Sequence, residues 1–170
     1  MSFSELSAQR YSVRDFAPTA VEADKLQAVL QAGRLAPTAC NNQPQQIFVA
    51  QSQQALGVLR DITPCVFNAP VVLILTARVA EAWVSPFSKQ SSAETDVSIV
   101  GTHMMLQAAE LGLGSTWVQW ADLAQVKAQL NLPEDCTVYG LLVLGYPSEQ
   151  AQPAPLHSQR KPLEATVHFL

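Results

Sequence analysis

Charge is scarce in this chain of 170 residues: 14% of positions are Asp, Glu, Lys or Arg, and ten basic residues face fourteen acidic ones. A net charge of -4 provides no long-range positive field for a phosphate polymer, which argues against nucleic acid as a partner. Nothing approaches the roughly 20 consecutive apolar residues that span a bilayer, and Met1 to Ser7 has no basic stretch leading into an apolar run. These absences predict a cytoplasmic protein with no membrane partner. Cysteine is limited to Cys40, Cys65 and Cys136, too widely spaced to chelate zinc or cycle as a dithiol, so reduced thiols are expected. His103, His157 and His168 do not have the spacing of a metal site, and none is predicted. There is no Gly-x-Ser-x-Gly elbow, and Gly112-Leu113-Gly114 fits neither a dinucleotide fingerprint nor a phosphate loop.

Apolar residues make up 48% of the chain. With so little charge to cover the surface, this predicts one ordered domain over 1–170, part of which packs against another subunit. Short helices are expected at 3–9, capped by Ser2 or Ser4, and at 22–35, where Leu26, Val29 and Leu30 recur at helical spacing before Pro37. A strand at 47–50, a helix from Ser52 to about Asp61 and a buried strand at 71–75 follow. The serine-rich stretch Ser85 to Thr95 reads as a surface loop and Asp96 to Leu113 as a central buried helix. A strand at 116–119, a helix capped by Asp122 and a strand at 138–144 complete the pattern, with an extended tail from Ser148. Helices interleaved with strands predict an α+β fold with a central mixed sheet. The apolar Val167, Phe169 and Leu170 suggest that the tail packs on a neighbour.

Two short polar clusters, Arg10-Ser12-Arg14 and Arg160-Lys161, hold four of the ten basic residues. Guanidinium forks with a hydroxyl suit a phosphomonoester, although a solvated turn has the same composition. Ala36 to Gln45 is rich in amides, which can match the donors and acceptors of a heteroaromatic ring edge or simply build a turn.

In order, Arg10-Tyr-Ser-Val-Arg-Asp-Phe16, Ala32 to Pro44, Asp96 to Val118, Leu144-Gly-Tyr-Pro147 and Arg160-Lys-Pro-Leu-Glu164 resemble the nitroreductase family of FMN-dependent oxidoreductases, in its compact branch. The resemblance implies an intertwined homodimer with FMN sites at the subunit interface. NADH or NADPH would be the reductant, and nitroaromatics, quinones or similar electron-poor compounds the acceptors. It implies that Arg10 and Ser12, with Arg160, lie at the FMN phosphate, and that Tyr11 and Lys161 also bind the cofactor. Arg14 would face the pyrimidine edge, where reduction places negative charge. Pro37, Thr38, Asn41 and Gln43 would lie along the isoalloxazine from the partner subunit. Val118, Gln119 and Trp120 would lie near flavin N5, with Asn68 approaching the flavin. No protein acid or base is required, so no catalytic side chain is assigned. Other chemistry on the same fold, such as reductive dehalogenation or ene reduction, and flavin binding without turnover are the alternatives.

Overall fold

The computed structural model describes residues 1–170, and three of its five α-helices begin at a side-chain cap. In α1 (Phe3–Gln9) the Ser2 hydroxyl accepts from the Glu5 N–H and the Glu5 carboxylate accepts from the Ser2 N–H, satisfying two donors reciprocally. These bonds also hold the Glu5 carboxyl below its usual range. α2 (Ala23–Leu35) stops at Ala36, which precedes Pro37 and adopts extended backbone, as a residue before proline prefers. α3 (Gln53–Ile62) starts at Ser52, whose hydroxyl accepts from the Ala55 N–H at 3.1 Å. Ser52→Ala is therefore expected to cost about 1 kcal/mol of stability, read as a lower urea midpoint with unchanged slope.

α4 (Ala93–Glu110) is shifted toward the N-terminus of its expected span. Ala93 is already buried, Glu94 and Asp96 place acid groups in the first turn, and the end comes before Gly112, which takes a left-handed φ of 76°. The polar loop consequently ends at Ser92. α5 (Leu123–Gln129) is capped by Asp122, whose carboxyl accepts from the Ala124 and Gln125 N–H groups and is held below its ordinary range by the Gln125 contacts foremost.

Four strands, β1 (Gln45–Ala50), β2 (Val71–Arg78), β3 (Gly114–Val118) and β4 (Cys136–Gly145), form one sheet in the order β1-β2-β4-β3, every pairing antiparallel. A single parallel bridge between Ser12 and Ser115 adds the N-terminal segment beyond β3 and makes the sheet mixed at that edge. β2 and β4 are central and read as continuous apolar runs because both of their faces are covered. On one face Leu73, Leu75, Leu142 and Leu144 pack with Leu26, Val29, Val97, Val100 and Met104 of α2 and α4. On the other, Val72, Ile74, Leu141 and Val143 meet Leu56 and Leu59 of α3 and Val126 of α5. The Trp117 ring sits between Gly101 of α4 and Gly140 of β4, where side chains would collide with it.

The tail is not uniformly extended. Single 3-10 turns form at Pro155–Ser158 and Leu163–Ala165, and Leu156, Leu163, Phe169 and Leu170 are exposed in the protomer. No helix is long and apolar enough to cross a membrane.

Candidate functional site: a basic cleft and an amide loop

The N-terminal segment is stitched to β3 and to the residues that follow β4. Val13 N–H donates to Ser115 O at 3.1 Å, Ala17 N–H to Tyr146 O at 2.9 Å and Ser148 N–H to Asp15 O at 3.1 Å. Val13 and Phe16 are buried, so Arg10, Ser12 and Arg14 project from an anchored strand-like segment. Tyr11 carries the tie onward: its hydroxyl donates to Ala151 O at 3.4 Å and its ring meets His157 edge-on, with centroids 6.1 Å apart. This packing brings the Pro155–Ser158 turn, and Arg160 after it, beside the first cluster.

Arg10, Tyr11, Ser12, Arg14, Ala154, Leu156, His157 and Arg160 line one cleft of about 290 Å³. It contains three guanidinium groups and no carboxyl group, and none of the three arginines takes part in an ion pair. Arg160 Nη1 donates to the carbonyls of His157 at 2.5 Å and Gln159 at 2.8 Å, while Arg14 Nη1 donates to Ser12 O at 3.3 Å. The Arg10 side chain has no hydrogen-bond partner. Unpaired guanidiniums beside a hydroxyl, in a chain of net negative charge, form a donor set that suits a phosphate.

The amide segment lies elsewhere: neither Pro37, Thr38, Asn41 nor Gln43 lines the basic cleft of the same chain. It forms a tight loop in which Gln43 N–H donates to Thr38 Oγ1 at 3.0 Å and Gln43 Nε2 donates to Asn41 O at 3.2 Å. Cys40, Asn41 and Gln43 all adopt positive φ, unusual for residues with a Cβ. Below it, the Asp96 carboxyl accepts from the Ala39 N–H.

At the end of β3, Val118 is buried, whereas Gln119 and Trp120 are exposed, Trp120 by 79%. Gln119 Nε2 donates to Tyr139 O at 3.1 Å, and the buried Thr63 hydroxyl donates to Trp120 O at 2.5 Å, fixing the backbone while leaving the indole free. Burial raises the Tyr139 phenol above its ordinary range, with Glu94 adding to the effect.

The model of the nitroreductase family matches residues 8–66 and 60–146, which takes in the Arg10–Arg14 segment, the amide loop and the β3 end. The chain belongs to the nitroreductase family. It is 34% identical to a nitroreductase family protein of Clostridium difficile 630, with a TM-score of 0.93 over 99% of this chain and 98% of that one. A protein of Thermus thermophilus named NADH dehydrogenase is 27% identical over 94% of this chain and 91% of its own length. In fold, the chain is also similar to a Bacteroides fragilis nitroreductase with bound FMN, at a TM-score of 0.79, 24% identity and coverage of 98% and 97%.

Within this family member, the structure joins Arg10, Tyr11, Ser12, Arg14 and Arg160 in one cleft. Lys161 is exposed and does not line it. Asn68 lines a different hollow with Gln51, Gln53, Arg60 and Pro70. Sequence reasoning passed over His157, whose only signal was its place just before Arg160, and it took Asp96 for nothing more than a helix start. It also missed Thr63, a buried hydroxyl with no motif around it.

Proposed function

We propose that the protein is an FMN-dependent oxidoreductase that uses NADH or NADPH to reduce nitroaromatics, quinones or similar electron-poor acceptors by a ping-pong sequence. The observation that carries this reading is the carboxyl-free cleft of three arginines in a nitroreductase family member. When bound, FMN supplies the redox chemistry, taking hydride at N5 and passing electrons to the acceptor. Arg10, Ser12 and Arg160 hold its phosphate, with Tyr11 and His157 keeping the two chain ends together. Arg14 holds positive charge toward the pyrimidine edge and cannot lose its proton at neutral pH. Pro37, Thr38, Asn41 and Gln43 orient the ring from the partner subunit of a homodimer. Their separation from the basic cleft of their own chain, together with the exposed apolar tail, supports that arrangement. Gln119 and Trp120 border the face left for reductant and acceptor.

The test is an absorbance spectrum of freshly purified protein, before and after anaerobic NADH and NADPH. Flavin bands that bleach are the expected result. Bands that persist with both reductants would instead favour a flavin-binding protein without turnover, and protein that stays colourless after soaking in FMN would remove the cofactor assignment.

A further inference from the structure

Asp96 is only 1% exposed, and the proposed reaction makes no use of it. Its two carboxyl oxygens are divided between two elements: Oδ1 accepts from the Ala39 N–H at 2.8 Å and Oδ2 from the Ser92 hydroxyl at 2.7 Å. Burial of a carboxyl group is tolerated where its oxygens are bonded, and the first turn of α4 adds the positive end of the helix.

The loop it fastens needs fastening. Cys40 and Gln43 each hold a φ of 52°, a costly backbone for such residues that persists only where the surroundings impose it, while Asn41 at 56° is of a type that tolerates it. Besides Asp96, one side-chain tie runs outward: Asn42 Nδ2 donates to Glu81 O at 3.1 Å. Both ties end on the same piece of structure, because Ser92 N–H donates to Trp83 O at 2.8 Å and so closes the base of the 83–92 hairpin next to Glu81. The amide loop, the hairpin base and the start of α4 are thus fastened together, with Asp96 at the junction.

We propose that Asp96 is the positioning residue of the amide segment, setting the strained Thr38–Gln43 loop at the geometry in which it meets the flavin ring. This rests on the FMN reading above. Asp96 acts on the ring-facing loop and not on the phosphate cleft, and that difference can be measured. Full-length protein freed of flavin is titrated with FMN and with riboflavin, which has the same ring and no phosphate. Asp96→Ala is expected to weaken both ligands by the same factor, about tenfold or more, the scale of losing a hydrogen bond to a charged group. Arg10→Ala should weaken FMN alone. Asp96→Asn should recover most of the affinity, since its amide oxygen still accepts from Ala39 while its NH₂ donates to the Ser92 oxygen. Amide exchange at residues 39–43 should quicken in Asp96→Ala and not in Arg10→Ala.

A folded Asp96→Ala protein that binds riboflavin like the parent, or loses only FMN, overturns the proposal. If Asp96→Ala does not fold, Asn42→Ala removes the other tie at an exposed position and should likewise weaken both flavins and quicken exchange; no change in either overturns it too. Parent protein that binds neither flavin sinks the FMN reading instead, and the exchange comparison then decides on Asp96 by itself.

Discussion

Arg10→Ala and Arg160→Ala are each expected to weaken FMN binding by about 1.5 to 3 kcal/mol, the worth of a hydrogen bond to a charged group. That is roughly a ten- to hundredfold rise in Kd, read by quenching of flavin fluorescence. The two substitutions differ in what they leave behind. Arg10 has no partner in the protein, so its removal takes away charge and donors alone. Arg160 also donates to the His157 and Gln159 carbonyls, and its loss frees the turn that places it. Arg160→Lys should therefore recover less than Arg10→Lys, because an ammonium group is a point charge without the planar fork. Because bound phosphate is attracted by charge, the FMN affinity of the parent should fall with added salt more steeply than that of either variant. Unchanged affinity in both alanine variants would show that the cleft is not the phosphate site.

The second large effect concerns the frame behind the site. A Cβ on Gly101 would lie 2.3 Å from Trp117 Cζ3 and 3.0 Å from Leu75 Cδ1. The Trp117 ring has no room to retreat, because Gly140 faces it from β4, where a Cβ would lie 3.1 Å from Nε1. Gly101→Val is expected to cost about 1 to 3 kcal/mol by overpacking, more than any gain from removing a helical glycine. Gly57 of α3 is the control: nothing lies within 4 Å of its Cβ position, so Gly57→Ala should stabilise by about 0.5 to 1 kcal/mol. Urea melts of the two variants should move in opposite directions. Equal shifts of one sign would mean that α4 does not hold the Trp117 ring as described.

Physical reasons separate what could be read from the sequence and what could not. The runs Val71–Leu75 and Val138–Leu144 were legible because strands covered on both faces need no alternation, and Ser52 and Asp122 announce their helices through capping chemistry. The start of α4 was hidden because the Ser92 hydroxyl donates to Asp96 and does not cap the helix, so the serines before it read as loop. The Arg10, Ser12 and Arg14 cluster was visible as composition. Its union with Arg160 depends on Tyr11 packing against His157, a contact no local pattern encodes. Asn68 shows the reverse case: its left-handed φ of 58° suits a turn residue, and it faces a hollow shared with Arg60. The amide loop was evident in composition, yet its strain is carried by Asp96, distant in sequence and recognisable only once its buried oxygens are traced.

The stitching of the first segment to β3 and to the residues after β4 has a consequence for the order of events in the cell. A nascent chain displays Arg10, Ser12 and Arg14 more than a hundred residues before Ser115, Tyr146 and Ser148, which anchor that segment, and before Arg160, which completes the cleft. Contacts of such long sequence separation form late and slowly. A ligand that needs all three guanidiniums is therefore captured only after Arg160 has been made, and a message truncated before Arg160 yields a cleft with two of its three guanidiniums.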